Sequence, residues 1–321
     1  MKTVLVTGGA GFIGSHFIRL LLNENGYFVI NYDLLTYAGN LNNLRDVDAN
    51  PNYIYIKGDI RNRSDVEHLF STYDIDVVVN FAAESHVDRS IVAADDFITT
   101  NILGAQTLMD VAKASWMNPD DGSFKKGKKF IQISTDEVYG SVFIGSSNEE
   151  SALLPNSPYS AAKASADLIA RAYHKTYGFP VIITRSSNNY GEKQYPEKLI
   201  PLFIELAKKN KNLPVYGDGN QIRDWIHVTD HCQAILTVLR EGEVGEIYNI
   251  SSSNEMANID IVKKILYILN KPDSLITYVD DRPGHDFRYS LDSSKILELG
   301  WKPIVCFEES FSELVKHKDR G

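Results

Sequence analysis

Thr3-Val-Leu-Val-Thr-Gly-Gly-Ala-Gly-Phe-Ile-Gly14 is the stretch that decides the fold. Thr3 to Thr7 is short, apolar and β-branched, the pattern of a buried parallel strand. Gly8, Gly11 and Gly14 follow, and Ser15-His-Phe-Ile-Arg-Leu-Leu-Leu22 continues with helical spacing. The three glycines serve different ends. Gly8 permits a tight turn, Gly11 lets the backbone approach a pyrophosphate, and Gly14 allows the helix to pack closely on the strand. The phosphate then sits on the helix N-terminus. Asp33 closes the next strand, roughly 20 residues beyond the last glycine, where a carboxylate accepts hydrogen bonds from ribose hydroxyls. It would repel a 2′-phosphate, and no arginine adjoins it, so the pattern predicts NAD rather than NADP.

Working outward, Tyr27-Phe-Val-Ile-Asn-Tyr32, Val77-Val-Val-Asn-Phe81, Phe130-Ile-Gln-Ile133 and Val181-Ile-Ile-Thr184 read as further buried strands. Helical spacing lies between them, from Gly14 to Asn23, Ser64 to Ser71, Ile98 to Ser115 and Tyr159 to Tyr177. This alternation predicts an α/β fold with a Rossmann-like, doubly wound parallel sheet over residues 1–190. Past that point Pro196, Pro201, Pro214, Gly217 and Gly219 break the pattern into shorter elements. A smaller C-terminal α/β lobe that binds substrate is expected over 191–321, with some chain free to cross back. Asp120 to Lys129 is polar and glycine-containing, and reads as an exposed loop.

Composition narrows the function. The chain has 321 residues, 43% of them hydrophobic and 23% charged, which suits a globular protein with a sizeable core. No stretch approaches the roughly 20 apolar residues of a membrane span. The start reads directly as a strand without a basic region and apolar run before it, which points to the cytoplasm. A net charge of −9 argues against a nucleic-acid surface. Cys232 and Cys306 have no Cys-x-x-Cys or Cys/His neighbours, so neither a disulfide framework nor a metal site is expected.

The chemistry sits in two stretches. Tyr159-Ser-Ala-Ala-Lys163 places a phenol and an ammonium on one helix face. A neighbouring cation favours the phenolate, so Lys163 is expected to lower the Tyr159 pKa towards the operating pH and make it a base. Ser134-Thr-Asp-Glu-Val-Tyr-Gly140 puts Thr135, Asp136 and Glu137 at the C-terminal end of a strand, the edge where α/β sheets build their sites. Plain alcohol oxidation needs no carboxyl pair. An elimination does, because one group takes a carbon-bound proton while another protonates the departing hydroxyl.

Together with Ala82-Ala-Glu-Ser-His-Val-Asp-Arg-Ser90, these motifs resemble the extended short-chain dehydrogenase/reductase family, and within it the dTDP-glucose 4,6-dehydratases. The likeness continues through Ser187-Asn-Asn-Tyr-Gly191, Pro196-Glu-Lys-Leu-Ile-Pro201, Gly217-Asp-Gly-Asn-Gln-Ile-Arg-Asp-Trp225, Tyr248-Asn-Ile250 and Asp281-Arg-Pro-Gly-His285, nearly the whole chain. The resemblance implies a homodimeric hydro-lyase acting on a nucleotide sugar, dTDP-glucose, with NAD as a bound catalyst. Tyr159 would deprotonate the 4-hydroxyl, Thr135 bond the 4-oxygen, and Lys163 hold phenolate and ribose. Glu137 would take the C5 proton while Asp136 protonates the C6 hydroxyl. It also places Phe12, Ile13, Leu34, Leu35 and Thr36 along NAD. Asp59, Ile60, Phe81, Ala82, Ala83, Ser85, Thr100 and Asn189 join them there. For the substrate it implies Ser85, Thr135, Asn188, Lys198, Leu199, Pro214, Val215 and Tyr216, then Arg223, Asn258, Asp281, Arg282, Pro283, Gly284 and His285. The long helices at Ile98 to Ser115 and Tyr159 to Tyr177 would pack across the dimer.

Glu192-Lys193 departs from the family, in which a proline follows the glycine, as do Ser251-Ser-Ser253 and the irregular loop from Ser141 to Leu154. A nucleotide-sugar 4-epimerase or decarboxylase would share the glycine loop, Thr135, Tyr159 and Lys163, but resembling epimerases lack the Asp136-Glu137 pair. An NAD-binding protein without turnover would not need that pair either. Thymidine, uridine and cytidine differ by edge contacts that these motifs do not report.

Overall fold

A computed structural model describes residues 1–317. Its strands are β1 (Lys2–Thr7), β2 (Tyr27–Asp33), β3 (Tyr53–Lys57), β4 (Val77–Asn80), β5 (Lys129–Thr135) and β6 (Val181–Ser186), then β7 (Asn188–Tyr190), β8 (Leu213–Tyr216), β9 (Ile222–His227), β10 (Ile247–Ile250), β11 (Glu255–Ala257) and β12 (Ile276–Val279). Seven form one parallel sheet in the order β3-β2-β1-β4-β5-β6-β10. The order reverses between β1 and β4, and a crevice opens there beyond the strand ends.

Period-two alternation feeds two cores. Val4, Val6, Val29 and Val79 point to one face, under the helices Phe12–Asn23 and Val228–Glu241. Leu5, Ile30, Val78 and Phe130 point to the other, under Arg63–Thr72, Ala105–Trp116 and Pro158–Tyr177. With both faces covered, the strands are mainly apolar, and polar residues such as Asp33, Asn80 and Thr135 gather towards their C-terminal ends. The helix Pro158–Tyr177 has a full start signal: Ser157 and Ser160 form a capping box around Pro158, and Gly178 ends it at φ 69.

The helix expected from Ile98 is continuous with Ala105–Trp116, but Ile98–Gly104 is wound as a wider π-helix. Within that turn Asn101 accepts from the Glu84 amide at 2.8 Å and donates to its carbonyl at 3.0 Å, fixing the Ala82–Ser85 loop at the crevice.

β7, β9 and β11 form a small second sheet, and β8 pairs with β12. The helices Leu199–Lys208, Asn258–Ile268 and Phe307–Lys316 pack with these strands around a third core. Chain crosses between the lobes: Val228–Glu241 and β10 return to the large sheet, and later Ile296 and Trp301 join its core. Asp120 to Gly127 contains an exposed turn, but the expected loop ends sooner than its polarity suggests. Lys128 is buried with its ammonium 2.7 Å from Asp74 and 2.9 Å from Asp76, and Lys129 begins β5. The Ser141 to Leu154 loop is tied down by Val142 N to Arg288 O and Ser147 N to Ser290 O, both 2.9 Å.

Candidate active site

The glycine loop is built for a close neighbour. Gly8 has φ 67, and a Cβ there would lie 2.7 Å from the Ala82 nitrogen; one on Gly14 would lie 2.5 Å from the Gly8 carbonyl oxygen. Asp33 accepts from the Ala10 amide at 2.9 Å and the Leu35 amide at 2.8 Å, so the carboxylate is locked beside the loop. Burial raises its pKa against those two bonds. A cavity of about 550 Å³ runs from here, past Asp59 and Ile60, to Thr135, Tyr159 and Lys163. Gly11, Phe12, Ile13, Leu34, Thr36, Phe81, Ala82, Ala83, Ser85, Thr100 and Asn189 are also on its wall. Leu35 is not, because its left-handed φ of 58 spends it on turning the chain and capping Asp33. The cradle, the fixed carboxylate and the cavity length suit a dinucleotide such as NAD.

At the inner end, the Thr135 hydroxyl accepts from the Glu137 amide at 3.3 Å and donates to Asp136 Oδ1 at 3.1 Å. It thereby starts the tight turn Asp136–Tyr139, which Gly140 closes at φ 73. Asp136 Oδ2 is buried without a hydrogen-bond partner. Burial, then the Glu137 charge, hold the Asp136 carboxyl well above the usual range, with Arg223 opposing. Burial also raises Glu137, but Arg282, Arg223 and Lys198 all pull it down.

Tyr159 lies in the same chamber, its amide bonded to Ser90 Oγ at 3.1 Å. The Tyr159 pKa is not lowered as expected, and Lys163 is not among the groups that set it. Burial, then Glu137 and Asp136, push the phenol up, with the Thr135 hydroxyl opposing. Lys163 donates instead to the Ile133 carbonyl, and burial brings its ammonium down to about 8 against Asp167.

A second cavity of about 390 Å³ joins the first, sharing Ser85, Glu137, Asn188 and Lys198. Lys198 donates to the Ser85 carbonyl at 2.7 Å. Arg223 donates to the Asp286 carbonyl at 2.9 Å and stacks 4.2 Å from the Tyr289 ring centroid. Arg282 pairs with Asp88 at 3.1 Å. Asn188 Oδ1 and Asn258 Oδ1 are buried without partners, and Leu199, Pro214, Val215, Tyr216 and His285 complete the expected lining. Asp281, Pro283 and Gly284 are not on the wall. Asp281 acts behind it, 2.6 Å from His285 Nδ1, and Gly284 turns the chain against the Asn156 carbonyl. The sequence reading did not single out His86, Asp88, Glu197, Trp225 or Tyr289, which also line this cavity. His86, Asp88, Glu197 and Trp225 all sit inside the stretches quoted above, but what each touches is set by tertiary partners.

A dinucleotide cradle opening onto a Thr-Tyr-Lys group and a carboxyl pair defines an extended short-chain dehydrogenase/reductase. The family model described as GDP-mannose 4,6 dehydratase matches residues 5–314. A dTDP-glucose 4,6-dehydratase of Haemophilus influenzae is 51% identical, covering 98% of this chain and 97% of its own. A dTDP-glucose 4,6-dehydratase of Streptomyces venezuelae, solved with NAD and TYD bound, is 47% identical at a TM-score of 0.92, covering 98% and 96%. A UDP-glucuronic acid 4-epimerase of Bacillus cereus, solved with UDP-glucuronic acid and NAD, is 29% identical at a TM-score of 0.89, covering 98% of each chain. This chain belongs to the GDP-mannose 4,6 dehydratase family, in company with dTDP-glucose 4,6-dehydratases.

Proposed function

We propose that this enzyme is a dTDP-glucose 4,6-dehydratase that converts dTDP-glucose to dTDP-4-keto-6-deoxy-glucose and water. The observation that carries this reading is the Asp136-Glu137 pair beside Tyr159, Asp136 buried and Glu137 half-buried, at the junction of the two cavities. NAD held by the glycine loop, Asp33 and Lys163 supplies the hydride acceptor for C4 oxidation and the donor for C6 reduction. Tyr159 takes the proton of the 4-hydroxyl, Thr135 bonds the 4-oxygen, and Lys163 holds the developing phenolate. The resulting ketone acidifies C5. Glu137, the carboxyl faced by cations, takes the C5 proton and returns one to C5 when C6 is reduced; Asp136, kept protonated, delivers its own to the leaving C6 hydroxyl, which departs as water. Lys198, Arg223 and Arg282 supply the cations a diphosphate needs.

Incubation with dTDP-glucose, and in parallel with the UDP, CDP and GDP compounds, followed by mass spectrometry, tests this. The expected result is loss of one water, fastest with the dTDP compound. A product of unchanged mass would turn the reading to a 4-epimerase.

The proposed assembly is a homodimer. Ile98, Leu103, Leu168 and Tyr177 are large apolar side chains left 45–55% exposed on the two long helices. Light scattering at micromolar concentration is expected to give twice the 36.0 kDa chain, and Leu168→Glu the monomer. The proposed compartment is the cytoplasm, in keeping with two free cysteines, one of them exposed. No helix among the described residues is long and apolar enough to cross a membrane.

A further inference from the structure

Behind Lys163 lies a second charged cluster that the dehydration chemistry does not use. Asp167 follows Lys163 by one helical turn, and its Oδ2 accepts from Arg185 Nε on β6 at 2.9 Å. Lys163, Asp167 and Arg185 are 5%, 1% and 3% exposed. Arg185 also donates to the Tyr139 hydroxyl at 2.7 Å, which donates to Asn249 Oδ1 at 2.8 Å. Such a buried pair is weak support for stability, since desolvation offsets the attraction.

The pairing leaves something over. Asp167 Oδ1 is buried without a hydrogen bond of good geometry, and the Ser134 hydroxyl at the end of β5 stands beside the carboxylate and favours its ionised form. Lys163 is buried on a carbonyl, a neutral acceptor. Around this end of the helix stand Tyr159 on the helix itself, Asp136, Glu137 and Tyr139 in the turn after β5, and Arg185 on β6. Among them all, Asp167 is the charge that supports the ammonium against burial. Burial raises the Asp167 pKa, and the charge and hydrogen bond of Arg185 oppose it, so the clamp is what supports the ionised form.

We propose that Asp167, clamped by Arg185, is a positioning residue that keeps Lys163 an ammonium and so governs the oxidation step and cofactor retention. This rests on the role given to Lys163 above. A neutral Lys163 could neither stabilise a phenolate nor donate all its protons to a ribose.

The test compares native enzyme with Asp167→Asn, Arg185→Lys and the double variant Asp167→Asn/Arg185→Met, which replaces the ion pair by neutral groups of similar size. Read-outs are the thermal midpoint, the NAD retained after gel filtration, and the rate of NADH appearance on mixing with dTDP-glucose, at pH values on both sides of about 8. In Asp167→Asn the alkaline fall in rate and in retained NAD moves down by about one pH unit, and the thermal midpoint falls. In the double variant the thermal midpoint recovers while the alkaline fall stays displaced. Arg185→Lys keeps the native profile. A double variant with the native pH profile and native NAD retention would show that the pair is merely structural, and so overturn the proposal. Native enzyme that forms no NADH with the sugar would instead overturn the dehydratase reading.

Discussion

Replacing Asp136 by asparagine keeps the shape of the site and removes one proton. The amide oxygen still accepts from the Thr135 hydroxyl, which lies 3.1 Å from Asp136 Oδ1. What is lost is the acid that burial and the Glu137 charge hold protonated. Removing one positioned acid typically costs about 10²–10⁴ in rate, or about 3–5 kcal/mol of barrier. The loss falls after oxidation, so in single turnover with dTDP-glucose the reduced-nicotinamide absorbance should rise at the native rate and persist while product lags. Glu137→Gln should behave alike and also slow exchange of the C5 proton with solvent deuterium. Stability gives a second read-out. The folded pKa of Asp136 is raised, so the native state is penalised as pH climbs above the ordinary value of 3.8, where the unfolded carboxyl ionises freely. Asp136→Asn escapes that penalty, so its melting temperature should match the native one at acid pH and exceed it at neutral pH. If both variants dehydrate the sugar at the native rate, or if neither reduces bound NAD, the acid and base roles are wrong.

Tyr159→Phe should abolish NADH formation while retaining NAD on gel filtration, whereas Lys163→Ala should lose both; equal, near-native turnover would remove the pair from the mechanism. Asp33→Ala should release NAD during desalting, with binding weakened by about 1–3 kcal/mol, because two backbone amides and the ribose hydroxyls lose their acceptor. Arg282→Ala should raise KM for dTDP-glucose about tenfold or more with kcat little changed, since the guanidinium is read as a diphosphate contact rather than a reacting group. A fall in kcat alone would show that Arg282 acts on Glu137 instead.

Much of this site was legible because its signals are local. The glycine loop, Asp33 and the capped helix bearing Tyr159 and Lys163 are set by neighbours in sequence, where turn chemistry and periodicity apply. That Leu35 lies off the cavity wall could not be read from sequence, because its direction depends on one left-handed backbone angle. The Tyr159 environment was misread for a different reason. Four-residue spacing brings Lys163 to the same helix face, but it does not reveal that Lys163 bonds a strand carbonyl or that two carboxyls from the end of β5 stand closer in effect. Asp88, Glu197 and Tyr289 were missed because their significance comes from tertiary partners: Arg282, Arg89 and Arg223 reach them across the fold. The return of β10 to the large sheet is likewise a pairing that strand composition does not encode.

The site holds three acids with raised pKa values, and their neighbours decide the order in which they ionise. Glu137 is opposed by three cations, so it gives up its proton first. Its charge is then the strongest electrostatic reason for Asp136 and Tyr159 to keep theirs. The phenol therefore needs a further positive charge before it can serve as a base, and oxidised nicotinamide is a cation. Binding of NAD should lower the Tyr159 pKa, and binding of NADH, which lacks that charge, should not. Alkaline difference spectra read tyrosinate directly, and the 17 tyrosines are resolved by subtracting the Tyr159→Phe variant. The difference band should appear at lower pH with NAD than with NADH. Coincident titrations in the two loaded forms would refute this charge-triggered base and return the role to a cation of the chain itself, Lys163.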